Sequence, residues 1–342
     1  MVVEFKKEFK LSKLLDPASN FEEKALPIEL RIDPLTSDMA SVATFRFPKL
    51  EKPDLSRIVA KSLEIGCPFC PEAVERITPK FTSDFYPGGR IRVGQAIAFP
   101  NASPYMPYSA LTVIGSRHFV GLNEFNDDTL IDGFLASQIY FRRVRECDPE
   151  AKYWVINWNY LPHSSSSQIH PHLQLVAGYS PMTYHKNLLE ASQSYCRQNR
   201  TNYWSDFIAE EKRLGERYIG EIGNTVWFSS FVPRSWLMDV MAVFQGKESL
   251  LTLSADDIRS FCSGLKRVFA YMDDQGYYSF NLSVYSGLIG EDYFWTQARI
   301  IQRASYPPLD ICDCSSLRLL QDIMTVVKYP EEVCKELKPY FE

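Results

Sequence analysis

The chain has 342 residues, of which 45% are hydrophobic and 14% aromatic, so it can bury a large core in one or two domains. Its net charge is −5 and its basic residues form no run, which argues against a nucleic-acid-binding protein. No apolar stretch reaches about 18 residues, so we expect no membrane span. The first residues lack the apolar core of a signal peptide, and the eight cysteines then indicate a reducing compartment, which we expect to be the cytoplasm.

The N-terminal region, residues 1–60, is polar and interrupted by prolines. The segment Glu29–Thr36 predicts a turn between two extended pieces. Arg31 and Arg46 lie on either side of this turn. Cations in such positions are most often solvated at the surface.

A Cys-x-x-Cys segment follows, formed by Cys67 and Cys70 with a proline after each of them. Prolines hold such a segment in a short knuckle that directs both sulfurs to one point, as tetrahedral zinc requires. In a reducing compartment a metal site is favoured over a disulfide. A redox-active pair is the alternative, although that motif usually follows a strand and opens a helix. The segment supplies only two of the four ligands that zinc needs.

The next part of the chain predicts antiparallel strands and then a helix. Apolar runs alternate with turns from Ile91 to Ser116, which places Phe99 in a strand and Asn101 in the loop that follows it. His118 comes after the last of these strands; a lone histidine there is more often a surface or capping residue than a ligand. The periodicity of Asn126–Arg145 predicts an amphipathic helix that Asn126 or the residue after it caps.

The segment that organises the whole chain lies between residues 153 and 178. A predicted strand ending at Asn159 leads into four serines, the last of which is Ser167. His170, His172 and Gln174 then occur at i, i+2 and i+4, so in an extended segment their side chains point to one face. A solvated edge strand is the alternative interpretation.

Elements of the first half return in the same order after a charged linker over residues 182–222. A strand–strand–helix–strand–strand order in each half indicates an internal duplication. Trp295 and Gln297 stand in the second copy where His170 and His172 stand in the first, and no histidine follows residue 185. The second half therefore keeps the scaffold and lacks the chemistry of the first.

Four motifs together carry a resemblance to a known family. These are Arg31-x-Asp-Pro-Leu-Thr, Cys67-Pro-Phe-Cys70, His118 after a strand, and Asn159 followed by Ser167-x-x-His170-Pro-His172-x-Gln174. In order and spacing the chain resembles the galactose-1-phosphate uridylyltransferase family of the histidine-triad superfamily through about residue 180, and more loosely beyond it.

This resemblance implies an α+β fold with two histidine-triad-like halves, each an antiparallel sheet with a packed helix. The catalytic half would be residues 1–195 and the degenerate half residues 196–342. The family also implies a homodimer. It further implies a structural zinc ion that is held by Cys67, Cys70, His118 and His170.

The resemblance also assigns the functional residues. His172 is similar to the nucleophile of the family. Gln174, Ser167 and Asn159 would contact the α-phosphate of the nucleotide. Phe99 and Asn101 would lie near its base and ribose, with Arg31 and Arg46 nearby as cationic support. The family usually has glycines where Ser164–Ser166 stand here, and Ala102 replaces a common acidic ribose contact, so the nucleobase and the acceptor stay open.

We therefore expect a nucleotidyltransferase that passes a nucleoside monophosphate from a nucleoside diphosphate sugar to a sugar 1-phosphate or to phosphate, through a covalent nucleotidyl-histidine. Neutral imidazole is a good nucleophile near pH 7, provided that its other nitrogen donates a hydrogen bond, here to the carbonyl of His170. Gln174 favours transfer over hydrolysis, because the hydrolase branch of the superfamily has a third histidine at that position. The alternatives are a nucleotide hydrolase and a non-catalytic nucleotide-binding protein of the same fold.

Overall fold

The structure is a computed structural model that describes residues 3–43, 50–306 and 311–342. Its strands are β1 (Lys6–Asp16), β2 (Glu22–Ile32), β3 (Met39–Val42), β4 (Ile91–Val93), β5 (Ala96–Pro100), β6 (Tyr108–Val113), β7 (Tyr153–Tyr160), β8 (His172–Gly178), β9 (Tyr218–Ile222), β10 (Thr225–Ser229), β11 (Asp239–Phe244), β12 (Ser279–Tyr285), β13 (Gln297–Arg303) and β14 (Met324–Val326). Its α-helices are α1 (Ser56–Ile65), α2 (Pro71–Ile77), α3 (Asp127–Cys147), α4 (Thr183–Asn199), α5 (Tyr203–Leu214), α6 (Ala255–Asp274), α7 (Ser316–Leu320) and α8 (Pro330–Leu337).

Ten strands form one antiparallel sheet, in the order β4-β5-β6-β8-β7-β12-β13-β11-β10-β9. The first five strands and the last five have the same internal order, reversed about the central β7–β12 pair. In each half three strands precede a long helix, α3 or α6, and two strands follow it. The α+β fold and the two similarly built halves are thus confirmed, although each half has three strands before its helix instead of the predicted two. The sequence did not predict that the half-sheets join edge to edge.

The predicted boundary between residues 195 and 196 falls inside α4 and stays a prediction. A second, four-stranded sheet contains β1, β2, β3 and β14. Its β3–β14 pair is parallel and joins the two ends of the chain. The predicted turn after β2 is present, where Asp33 Oδ1 accepts hydrogen bonds from the amides of Leu35 and Thr36.

Both long helices pack on one face of the ten-stranded sheet, where Phe134 of α3 and Phe261 of α6 are in edge-to-face contact. Asn126 caps α3 by accepting a hydrogen bond from the Thr129 amide, and a capping box of Ser254 and Asp257 starts α6. The Asn126 cap matches the predicted helix start. In the described part of the chain, no helix is both long enough and apolar enough to cross a bilayer.

Trp227 of β10 shows how closely helix and sheet approach each other. A Cβ atom at Gly264 of α6 would lie 2.4 Å from the Trp227 ring, so only glycine allows this contact. With one face of the sheet sealed by the helices, the side chains at alternate positions of β7, β8, β12 and β13 point to the opposite face. The candidate functional residues lie on that face.

Candidate functional site

The centre of the site is the pair of strands β7 and β8. They are antiparallel, with Asn157 of β7 opposite Gln174 of β8. Asn159 and His172 lie two residues beyond this last paired position, on the same face of their strands as Asn157 and Gln174. The intervening residues Trp158 and Leu173 are fully buried in the core on the helix side. The predicted alternation therefore places the polar groups of both strands on one face.

Four side chains form a cluster that could hold a metal ion: Cys67, Cys70, His118 and His170. Their ligand atoms all lie within 4.8 Å of one another. The Cys70 sulfur is 3.4 Å from His118 Nδ1 and 3.7 Å from His170 Nδ1. The sequence supplied the two thiols from one motif and the two imidazoles from separate strand ends, and the structure brings them together.

The far nitrogens of both imidazoles make hydrogen bonds that turn Nδ1 towards the thiols. His170 Nε2 donates to the Gly115 carbonyl at 2.7 Å, which leaves Nδ1 unprotonated. His118 Nε2 lies 2.6 Å from Ser62 Oγ. Such outer partners fix the ring orientation of metal-binding histidines. Burial also lowers the pKa of His118, and it lowers that of His170 to about 4, so both rings are neutral at pH 7 as ligands must be.

The thiol pair supports the same interpretation. Burial and the neighbouring Cys67 raise the pKa of Cys70 to about 12, so that without a cation this thiol stays protonated. A divalent ion would stabilise the thiolate forms. Two sulfurs and two neutral imidazole nitrogens form the donor set of closed, tetrahedral structural zinc sites, so these residues fit zinc.

His172 opens β8 directly beside this cluster. Its Nδ1 lies 2.8 Å from the carbonyl oxygen of His170, and that oxygen can only accept, so Nδ1 carries the proton and Nε2 is left with its lone pair. The expected hydrogen bond is therefore present. The ring is 4% exposed, and burial lowers its pKa, which keeps it neutral. Phe69, between the two cysteines of the knuckle, packs edge-on against it with ring centroids 5.0 Å apart.

The amide side chains beside His172 have defined partners. Gln174 Oε1 accepts a hydrogen bond from the hydroxyl of Tyr105 at 2.8 Å. Asn159 Oδ1 accepts one from the Nδ2 group of Asn281 at 2.6 Å. Ser167 is exposed in the loop that leads to His170. This loop is conformationally strained, since Leu161 and Ser165 have φ angles of 70° and 69°, which glycine would adopt more easily.

Phe99 and Asn101 occupy one edge of the site. Phe99 of β5 is buried, and its ring centroid is 5.8 Å from that of Phe69, which in turn contacts His172. Asn101 follows β5 and binds within its own loop, where its Oδ1 accepts from the Ser103 amide. The same loop carries Tyr105 over Gln174.

The structure does not bring Arg31 to this group. Its side chain is 1% exposed and donates to Glu29 at 2.6 Å and to both carboxylate oxygens of Glu331. A guanidinium that is committed to two carboxylates has no free edge for a phosphate, so we assign Arg31 a structural role instead of the expected cationic support of the nucleotide. Arg46 lies outside the described residues.

Some residues of the site carried no sequence signal. Tyr105 reaches the site from the loop after β5, and Ser62 orients His118 from α1. Asn281 differs from these two, because the repeat already indicates it as the counterpart of Asn159. Phe69 was visible only as a spacer of the Cys-x-x-Cys motif. Gln297 opens β13 as His172 opens β8, which agrees with the predicted loss of the nucleophile from the second half.

Comparisons with solved structures identify the fold. The chain resembles an ADP-glucose phosphorylase from Arabidopsis thaliana, solved with ADP-glucose bound, with a TM-score of 0.71 and 14% identity over 91% of this chain and 98% of that one. A galactose-1-phosphate uridylyltransferase-like protein from the same plant gives a TM-score of 0.70 at 14% identity, covering 90% of this chain and 98% of that one. A uridylyltransferase gives a TM-score of 0.68 at 18% identity, covering 91% of this chain and 98% of that one. The chain therefore has the fold of these uridylyltransferase, uridylyltransferase-like and ADP-glucose phosphorylase structures.

Sequence comparison finds a relative that matches over nearly the whole chain. An uncharacterized protein of Archaeoglobus fulgidus is 28% identical over 340 residues, which cover 98% of each chain. No family model matches the sequence.

Proposed function

We propose that this protein is a nucleotidyltransferase in which His172 accepts a nucleoside monophosphate from a nucleoside diphosphate sugar. The observation that carries the proposal is the hydrogen bond between His172 Nδ1 and the His170 carbonyl. It leaves Nε2 unprotonated on a buried ring, which is the state of a nucleophilic imidazole. The fold shared with a uridylyltransferase and an ADP-glucose phosphorylase supports this class of activity.

In the first step Nε2 of His172 would attack the α-phosphorus of the donor. An N–P bond forms while the bond between the α-phosphorus and the bridging oxygen breaks, and the sugar 1-phosphate leaves with that electron pair. In the second step a phosphate oxygen of the acceptor attacks the same phosphorus and the N–P bond breaks, which restores neutral His172. A sugar 1-phosphate acceptor gives a new nucleoside diphosphate sugar, and inorganic phosphate gives a nucleoside diphosphate.

Negative charge accumulates on the phosphoryl oxygens during both steps, and neutral hydrogen-bond donors that face them supply stabilisation. Gln174 and Asn159 are suited to this role, since their carbonyl oxygens are already bonded and their NH₂ groups are left for a ligand. Ser167, exposed in the adjoining loop, is a third donor. We propose that a zinc ion at Cys67, Cys70, His118 and His170 would order His170 and thereby the carbonyl that orients His172.

The test is incubation with ADP-glucose or UDP-glucose followed by intact mass measurement at neutral pH, where a phosphorus–nitrogen bond survives. We expect one nucleoside monophosphate per chain, and its loss when glucose 1-phosphate or phosphate is added. Turnover to free monophosphate without an acceptor would favour the hydrolase alternative. Neither adduct nor turnover across nucleotides of all common bases would favour a binding protein and overturn the proposal.

A further inference from the structure

We propose that Asn281 and Arg303, both from the half of the chain without a catalytic histidine, are positioning residues that orient the amide of Asn159 towards the substrate phosphate. The proposal rests on the function proposed above. Asn281 of β12 lies directly opposite Asn159 of β7 at the junction of the two half-sheets. The two halves therefore meet at this pair of amides.

A chain of hydrogen bonds runs from Arg303 through Asn281 to Asn159, and we call it the relay. Arg303 lies at the end of β13. Its Nη1 donates to Asn281 Oδ1 at 2.7 Å, and its Nε donates to Asp313 Oδ1 at 2.9 Å. The Asp313 side chain is buried, so the guanidinium is held in place by a charged hydrogen bond. A guanidinium has no acceptor atom, so the atom of Asn281 that faces it must be the oxygen.

Asn281 then has its NH₂ group on the opposite side. Nδ2 donates to the backbone carbonyl of Ser164 at 2.9 Å and to Asn159 Oδ1 at 2.6 Å. A backbone carbonyl can only accept, which independently fixes the same orientation. Asn281 is therefore locked between a group that only donates and a group that only accepts.

The lock determines the polarity of Asn159. Since an NH₂ group faces it from Asn281, Asn159 must present its oxygen there and direct its own Nδ2 elsewhere. This nitrogen has no acceptor among the described residues, and Asn159 lies on the same face of the sheet as His172. Without the relay, a free asparagine amide would present oxygen or nitrogen to a ligand with similar ease.

Two neighbouring amides have the same polarity. Asn157 Oδ1 accepts from Ser283 Oγ at 2.7 Å, as Gln174 Oε1 accepts from Tyr105. The face around His172 thus presents NH₂ donors rather than carbonyl oxygens, which suits the charged oxygens of a phosphoryl group. Ser283 and Asn281 both come from the second half. The second half of the chain therefore contributes to the polarity of the site in the first.

Asn281→Asp tests the relay, because it replaces only the NH₂ group of the Asn281 side chain by an oxygen. Aspartate keeps the contact with Arg303 but faces Asn159 with an acceptor, so Asn159 should turn its NH₂ group away from the ligand. We expect adduct formation with ADP-glucose or UDP-glucose to slow by about a hundredfold, the lower end of the effect seen when one transition-state donor is lost. The final extent should stay at one nucleotide per chain, whereas a merely structural defect would lower the extent.

Two further variants provide the comparison. Asn281→Ala removes the donor without supplying an acceptor, so it should slow the reaction less than Asn281→Asp, although it removes more contacts. Asn126→Asp makes the same change of charge at the cap of α3, where either residue can accept the Thr129 amide, and should react as wild type. If Asn281→Asp and Asn126→Asp react alike, or if alanine is the slower of the two Asn281 variants, the relay is wrong while the transferase stands.

ADP binding by isothermal titration separates failure of the relay from failure of the proposed function. Wild type that binds ADP without forming an adduct, together with Asn281→Asp that binds ADP at least tenfold more weakly, would support the relay and contradict the transferase. If the wild-type protein binds neither ADP nor UDP and forms no adduct, both the relay and the proposed transferase function are wrong.

Discussion

Arg31 and Glu331 form a bidentate ion pair, with nitrogen–oxygen distances of 3.0 and 2.8 Å, that ties β2 to the last α-helix across 300 residues of chain. Arg217 donates to the same carboxylate at 3.1 Å. Burial alone would raise the pKa of Glu331, but the hydrogen bond and the charge of Arg31 outweigh it and lower the pKa to about 2. The pair therefore contributes to stability above pH 4.5 and loses that contribution as the pH falls towards 2.

Glu331→Gln should lower the free energy of unfolding at pH 7 by about 3 kcal/mol, because two buried guanidinium groups lose their shared anion. The difference from wild type should shrink as the pH falls from 4.5 towards 2, since the wild-type carboxylate is then protonated as well. Urea unfolding at pH 7 and pH 3 measures both effects. Glu332→Gln, at the exposed neighbouring position, should change stability by less than about 0.5 kcal/mol at either pH.

Cys67→Ser should lower the zinc content and the thermal stability of the protein more than it changes the rate of the reaction. Loss of one ligand from a structural zinc site removes folding energy, and we expect the melting temperature to fall by about 5–10 °C. Metal analysis of the purified protein should give one zinc per chain for wild type and less for the variant. Cys312→Ser, which removes an exposed thiol, is the control and should change neither quantity. An unchanged melting curve and metal content in Cys67→Ser would argue against the site.

His172→Gly should abolish adduct formation and transfer while it leaves the metal content at the wild-type level, because His172 is not among the four clustered residues. The measurements are intact mass after incubation with a nucleoside diphosphate sugar, and zinc analysis of the same sample. Turnover at the wild-type rate would show that another group is the nucleophile. Simultaneous loss of zinc would mean that the ring supports the cluster rather than the reaction.

Tyr105→Phe should weaken nucleotide binding and slow adduct formation by about three- to tenfold, since it removes the hydroxyl that fixes Gln174 Oε1. Tyr105 is 57% exposed, so the change should leave stability nearly unaffected. Tyr179→Phe is a matched control, because the Tyr179 hydroxyl is also exposed and donates to Asp148 instead of a residue of the site. Equal reaction rates for the two variants would exclude this role for Tyr105.

Some of this molecule was determined by the sequence alone. The i, i+2 spacing of His172 and Gln174 decided that these side chains share a face, because the pleat of a strand alternates whatever surrounds it. His170 was expected on the same strand but lies in the bend before β8. The prolines around Cys67 and Cys70 fixed the knuckle in the same local way. The repeated order of elements likewise predicted two similar halves and the α+β class.

Only the tertiary structure decided how these pieces meet. Arg31 belongs to a recognisable motif, yet its partner lies 300 residues away in α8, and no local pattern indicates that pair. The contact of Tyr105 with Gln174 spans 69 residues, and that of Asn281 with Asn159 spans 122. Short-range geometry sets the direction of a side chain, whereas its hydrogen-bond partner depends on which distant segment the packed core brings beside it. The polarity of the amides around His172 is therefore a property of the assembled sheet.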